Sequence, residues 1–270
     1  MKCASLAVVV LLMAARPALA DVTIKMTTGG KGMGMSASST GTTYIKGNKM
    51  RSELQMGDRI QTTIFDLDAQ KMYVFESKKK EADVWDMATF AKEMGANVDT
   101  TNVQASIKPN GQTKAFGSHT AAGYDMEISV PAAIGNSKDM MMTVSLAGPV
   151  WIVKDAPGTA DYNRFYRAAA EKGWIFSDPR AAKGQPGQAR AMAEMYKQFA
   201  ELGGIAYESD IQIKMGMAGG GGGMMGGMMG GMMAKLGNIS AQTMVNDVQT
   251  GALDDALFAP PAGYQLNTKK

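Results

Sequence analysis

Cysteine and histidine are almost missing from this sequence: 270 residues hold one of each, Cys3 and His119, and only three tryptophans. With Cys3 so near the start, the rest of the chain can build neither a disulfide nor a thiolate metal site, and its stability has to come from packing. A lone histidine rules out the paired-histidine spacing of a metalloprotease, and no serine stands in a nucleophile elbow. His119, in the stretch between Gly117 and Gly123, reads as a surface turn residue and not as a general base. No catalytic residue and no cofactor are expected, and the chain reads as non-enzymatic.

Long apolar runs are lacking too. The run from Ala4 to Ala15 is roughly a dozen residues, short of the ~20 that cross a bilayer. It follows Lys2 and precedes Ala18-Leu19-Ala20, the pattern of a secretory signal cleaved after Ala20, so the mature chain is expected to begin at Asp21 in a bacterial periplasm. Cys3 precedes the apolar run, which is not where a lipoprotein signal carries its acylated cysteine. An excess of one charge is also absent: there are 28 basic and 25 acidic residues, and Lys2 and Arg16 belong to the leader, leaving 26 against 25. A near-neutral chain offers no basic face, so nucleic acid is not an expected partner. Lys78-Lys79-Lys80 is flanked by Glu76, Glu81 and Asp83 and reads as a solvated turn.

Alternation with period two is what the chain does have. From Val22 to Val153 it is broken every eight to twelve residues by turn chemistry, which predicts roughly ten antiparallel strands in this half. Gly47-Asn48 can supply the positive φ of a tight hairpin, Met56-Gly57-Asp58 turns the chain into Arg59 to Phe65, and Asp66 to Gln70 turns it into Lys71 to Ser77. Glu81 to Met87 extends the meander, and Thr89 to Met94 is a short helical patch. Pro109-Asn110-Gly111 separates strands at Asn102 to Lys108 and Thr113 to Phe116, and Gly123 to Val130, Asp139 to Leu146 and Val150 to Lys154 supply three more.

After Asp155 the period becomes helical. Thr159 is placed to cap a helix through Lys172, with Asp161 near its positive end and Tyr162, Phe165, Tyr166 and Ala169 on one face. A second helix runs from about Gln188 to Leu202, with Met192, Met195, Tyr196 and Phe199 as its apolar stripe and Gly203-Gly204 as its stop. Strands at Ile205 to Met217 and Asn238 to Gln249 follow. About 250 residues after the leader suffice for a single domain over 21–270.

Methionine and glycine are abundant, 25 and 32 of them, and they concentrate in MGMAGGGGGMMGGMMGGMMAKLG from Met215 to Gly237, between the last two long strands. The tract at 218–234 is low in complexity, and glycine at half its positions opposes a helix at about 1 kcal/mol each. Gly221 to Gly226 satisfies GxGxxG only by composition, since no βαβ unit surrounds it. Three readings stay open: a permissive connection, an apolar flap touching cargo or membrane, and a thioether site for Cu(I) or Ag(I). Met33, Met35 and Met140-Met141-Met142 add sulfur elsewhere, although Met140 and Met142 can share a strand face without any ion.

GTTYIKGNKMRSE (Gly41 to Glu53), FDLDAQKMYVFESKKK (Phe65 to Lys80), AAGYDMEISV (Ala121 to Val130), DYNRFYRAAAEKG (Asp161 to Gly173) and DDALFAPPAGYQL (Asp254 to Leu266), in this order, resemble a bacterial periplasmic family whose fold is similar to the lipoprotein carrier and lipoprotein-localisation factor (LolA-like) superfamily. The resemblance implies an α+β fold, mainly antiparallel β: a strongly curved half-barrel sheet closed on its concave side by a few helices, here the lid section at about 159–202. It also implies an apolar cavity for acyl chains and no catalytic residues. The expected function is that of a carrier for a lipid, a lipoprotein acyl chain or another apolar ligand. Tyr73, Phe75, Trp85 and Trp151 from the sheet and Phe165 and Trp174 from the helical section are the expected lining. Peripheral membrane contact and an envelope protein partner are compatible with this reading. The alternatives are a Cu(I)- or Ag(I)-handling protein that uses the methionine tract, and an envelope assembly factor that uses the half-barrel for docking.

Overall fold

The computed structural model describes residues 20–32, 35–95, 102–134, 137–172, 174, 179–182, 186–217 and 239–269. The expected leader, apart from Ala20, and the Met/Gly tract lie outside the described residues, as does Met33. The chain runs β1 (Val22–Gly32), β2 (Met35–Lys46), β3 (Lys49–Met56), β4 (Arg59–Asp66), β5 (Lys71–Glu76), β6 (Glu81–Asp86), α1 (Met87–Gly95), β7 (Gln104–Phe116), β8 (His119–Ile134) and β9 (Ser137–Val153). It continues through α2 (Thr159–Glu171), α3 (Pro179–Ala182), α4 (Pro186–Leu202), β10 (Ile205–Met217), β11 (Ile239–Thr250), a 3-10 turn (Asp255–Phe258) and β12 (Gln265–Thr268).

All twelve strands join one sheet in the order β12-β6-β5-β4-β3-β2-β1-β11-β10-β9-β8-β7. The sheet is open and curved, and it is not closed into a barrel. Two meanders meet where β1 pairs with β11, Val22 opposite Thr250 and Lys31 opposite Ser240. Bulges help bend it: the β1–β11 register shifts between Lys25 and Met26, and the β10–β9 register shifts between Ala206 and Glu208. An extra residue on one strand kinks that strand and increases its local twist. β12 is the exception to the antiparallel pattern, pairing parallel with β6 through Gln265 opposite Glu81.

Tight turns form where their chemistry predicts. Lys46 pairs with Lys49 across Gly47-Asn48, Met56 with Arg59 across Gly57-Asp58, and Phe116 with His119 across Gly117-Ser118. Asp66 Oδ1 accepts from the backbone N–H groups of Asp68 and Ala69, at 3.1 and 2.9 Å, and so closes the next turn. Lys78, Lys79 and Lys80 are exposed, with Lys78 paired to Asp58 and Lys79 to Glu76.

Four details differ from expectation. The described residues of the first half hold nine strands, because Pro109-Asn110-Gly111 is a bulge inside β7 and Gly148-Pro149 lies within β9. Asn110 Oδ1 does accept from the Gln112 N–H at 3.0 Å, so the local turn chemistry is real, but pairing with β8 resumes beyond it. His119 is the first residue of β8, half-buried with its ring 6.1 Å from that of Tyr207, and not a turn residue. Thr159 does not cap α2: the N-cap is Gly158 at a φ of 74°, and Thr159 Oγ1 donates to the Ala156 carbonyl at 2.7 Å. A Cβ on Gly158 would also lie 2.5 Å from Val22 Cγ2, so glycine permits both the left-handed turn and the close approach of α2 to β1.

α2 and α4 pack against each other and onto one face of the sheet, α4 over β7–β9 and α2 over β2 and β10. Tyr162, Phe165, Tyr166 and Ala169 are buried on α2, the face that the 3.6-residue period predicts. On that concave side Ile24, Ile45, Met50, Phe65, Met72 and Trp85 from the strands form one cluster with Phe165 and Trp174. Met126, Ile128, Leu146 and Ile152 form a second with Ala191, Met195 and Phe199 of α4. The convex face of β2–β6 is sealed separately: the C-terminal segment lays Phe258, Leu257 and Tyr264 over Ile64, Tyr73 and Phe75. Arg51 Nη1 ties the segment down by donating to the Leu257 carbonyl at 2.9 Å, and Lys46 Nζ donates to that of Leu253 at 2.6 Å.

Candidate functional site

Strand alternation decides what faces the helices. Along β3 the inward residues are Met50, Ser52 and Leu54; along β4 they are Phe65, Thr63 and Gln61, opposite those three in register. The same rule brings in Ile24 and Met26 from β1, Thr43 from β2, Ser209 from β10, and Thr243 and Val245 from β11. α2 and α4 lie over these strands without filling the space beneath them. What remains is a cavity of about 330 Å³, roofed by Tyr162, Tyr166, Met195, Tyr196 and Phe199. That volume lies near the lower end of the ~300–1,000 Å³ typical of small-molecule pockets.

Its two ends differ. The inner end, strands and roof together, is made of fully or nearly buried Ile24, Met50, Phe65, Ile205, Tyr162 and Tyr166. Toward the β3–β4 hairpin the wall becomes half-buried and more polar, at Ser52, Leu54, Gln61, Ser209 and Thr243. The hollow therefore grades from dry to wettable along the strands.

Three tyrosines set the chemistry of the roof. The Tyr166 ring stacks on Tyr196 with centroids 5.1 Å apart and an 11° interplanar angle, and Tyr162 lies tilted against it at 4.6 Å. Tyr166 donates its hydroxyl to Met50 Sδ at 3.4 Å. Burial pushes the Tyr162 and Tyr166 hydroxyls well above their ordinary value of 10.0; Tyr196 adds to the rise in both, while the hydrogen bond between the two raises Tyr166 further and partly offsets the rise in Tyr162. At physiological pH both are neutral O–H donors in a low-dielectric setting.

None of the six aromatic residues expected to line the cavity is among the residues that do. Tyr73 and Phe75 sit on the convex face, because β5 turns Met72 and Val74 inward and its alternate residues outward. Phe75 meets the Tyr264 ring edge-on at 5.5 Å. Trp85 is inward but packs edge-on against Phe90 of α1, at 6.1 Å. Trp151 alternates with Val150 and Ile152, which face α4, and carries Lys114 Nζ over its ring at 5.8 Å. Phe165 is wholly buried, and Trp174 is 4% exposed with Lys172 Nζ 4.7 Å above its ring. These aromatics are used as filling. The cavity lies where inward positions carry shorter or polar side chains, and Ser52, Gln61 and Thr63, interleaved with Met50, Leu54 and Phe65, were its signal in the sequence.

Among the described residues, no group of three or more His, Cys, Asp or Glu side chains is placed to hold a metal ion, and no helix is long and apolar enough to cross a membrane.

The fold is thus an open curved sheet with helices and a half-enclosed hollow on its concave face. No model of a known protein family matches the sequence, and no curated relative does. Among solved structures the fold is similar to that of PNGF-II, with a TM-score of 0.34 and 12% identity over 92% of this chain, which spans 31% of the length of that protein. It is also similar to a LolA superfamily protein from Nitrosomonas europaea, with a TM-score of 0.29 and 7% identity over 90% of this chain and 92% of that one. A DUF1329 family protein from Desulfovibrio piger gives a TM-score of 0.31 and 9% identity over 90% of this chain and 91% of that one.

Proposed function

We propose that this chain is a non-enzymatic binding protein that carries a lipid or other apolar ligand, holding an acyl-chain-like portion between the sheet and helices α2 and α4. The observation that supports it is the hollow itself. A half-enclosed hollow of about 330 Å³, walled largely by Ile24, Met26, Met50, Phe65, Met195 and Phe199, offers an apolar portion of a ligand shelter from water. Each buried methylene is worth about 0.8 kcal/mol, so eight sheltered carbons supply about 6 kcal/mol before the costs of ordering. The reading places the mature chain, from Asp21, in the periplasm as one carrier unit, delivering or receiving its cargo at a membrane surface or an envelope protein.

Native mass spectrometry of the chain purified from a periplasmic extract is the test, together with uptake of a fluorescent fatty acid. A bound apolar molecule, and uptake abolished by Leu54→Trp at the half-buried end of the cavity with the fold retained by circular dichroism, is the expected result. A chain that carries nothing and takes up nothing is not a carrier.

A further inference from the structure

Resting on the carrier reading, we propose that the cavity takes a single-chain amphiphile tail first, and that Arg59 holds its anionic head, a carboxylate or a phosphate monoester, at the half-buried end. β3 and β4 lay out the axis. From the buried end outward their inward residues pair in register, Met50 opposite Phe65, Ser52 opposite Thr63, Leu54 opposite Gln61 and Met56 opposite Arg59. The first three pairs line the cavity, and alternation puts the fourth on the same face, one position further out. Met50 and Phe65 are each 3% exposed, Leu54 is half-buried and Met56 is 38% exposed, with Arg59 exposed beside it. Apolar wall thus continues to the rim and ends at a guanidinium. Met50 to Met56 is about 20 Å at the rise of a strand. A membrane acyl chain fills about 15 Å of one leaflet, so a tail seated at the inner end brings its head within reach of Arg59.

The described lining residues include no Asp, Glu, Lys, Arg or His, so discrimination by charge falls to the rim. Among the described residues Arg59 has no hydrogen-bond or ion-pair partner. The acids near it are already engaged. Asp58 pairs with Lys78, and Glu76, opposite Gln61 on β5, has Lys79 Nζ at 3.7 Å and Arg180 Nη1 at 4.0 Å. Glu53 belongs to the other face, where Arg51 holds it at 2.6 Å. Glu194 of the roof helix has Lys197 Nζ at 3.5 Å and Arg190 Nη2 at 4.0 Å. A free guanidinium beside an apolar slot gives a carboxylate or phosphate a charge-assisted contact, gives a neutral head little and repels a cationic one. The head also keeps its access to water at this end, so no charge is carried into the dry one.

The test is displacement of the neutral probe N-phenyl-1-naphthylamine from the full chain, at neutral pH and low salt, by palmitate, hexadecyl phosphate, methyl palmitate and hexadecylamine, repeated on Arg59→Gln and Arg59→Lys. At least one of the two anions is expected to bind about fivefold tighter than the ester, the tighter one identifying the head, and the amine to bind more weakly than the ester. Arg59→Gln should remove the preference for the anion while moving the ester less than about twofold, and Arg59→Lys, which keeps the charge, should retain part of it. The ester binding as tightly as both anions, a preference that survives Arg59→Gln, or displacement by acetate or inorganic phosphate alone overturns the proposal and leaves the carrier reading intact. If the chain takes up neither the probe nor palmitate, both fall.

Discussion

The concave face of this sheet is treated in two ways along its length. Over β7–β9, α4 sits directly on Met126, Ile128, Leu146 and Ile152, and these are 0–2% exposed. Over β1–β4 the helices bridge a hollow, and the facing positions include Ser52, Gln61 and Thr63. Met195 and Phe199 belong to both regions, packing into the second cluster and forming part of the cavity roof. The difference therefore lies in the strands: long aliphatic residues in consecutive inward positions draw a helix down, and hydroxyl or amide side chains interleaved among them do not. In the carrier role proposed above, the first region would hold the helices in place and the second would leave space.

The most forceful way to break this comparison is to truncate one aliphatic residue on each side. Leu146→Ala, in the packed region, should cost about 2–5 kcal/mol because a dense neighbourhood relaxes little around a deletion. Leu54→Ala, at the half-buried wall of the hollow, should cost less than about 1 kcal/mol. Urea denaturation midpoints measure both, and equal losses would mean that the hollow side is packed as tightly as the other.

Alkaline unfolding probes the hollow side through its phenols. Tyr162 and Tyr166 have folded-state values raised above the unfolded one near 10. Their contribution is complete below that pH and is lost as pH rises from it toward the folded values, at about 1.4 kcal/mol per pH unit for each tyrosine. Stability measured above pH 10 should fall steeply, Tyr196 adding to the loss, and Tyr166→Phe should remove about 1.4 kcal/mol per pH unit from the slope. An unchanged slope would place that hydroxyl in water.

Gly158→Ala tests how α2 is anchored above the gap. Its φ of 74° and the 2.5 Å approach of a new Cβ to Val22 predict a loss of about 1–3 kcal/mol in thermal or urea unfolding. A neutral result would mean that β1 and α2 can separate freely. The smallest effect is expected for Ser52→Leu, which adds carbon to empty space. Stability should change by no more than about 1 kcal/mol in either direction while fluorescent-ligand uptake drops, and undiminished uptake would place the ligand elsewhere.

Much of this fold could be read locally. The Gly47-Asn48 and Gly57-Asp58 hairpins and the buried faces of α2 and α4 follow from chemistry within a few residues. Elsewhere a true local signal is overridden by strand pairing. Asn110-Gly111 does turn, yet β8 pairs on both sides of it. Gly148-Pro149 reads as a strand break, yet the β9–β10 pairing resumes across it, from Ala147 opposite Gln212 to Val150 opposite Ser209. The six aromatics expected around the hollow lie elsewhere for another reason. Being apolar does not place a large aromatic at a hollow: a ring such as Phe165 is a good filler, and space persists where side chains fall short.

Alternation, turn residues and helical stripes, all encoded within short windows, settled which residues became strands and helices and which faces turned inward. Which strands became neighbours, β1 beside β11 and β12 beside β6, depended on contacts between distant segments. So did the existence of the hollow, because a cavity is a mismatch between the volume that packed elements enclose and the volume their side chains occupy. That difference takes a value only when the sheet has curved and the helices have come to rest on it.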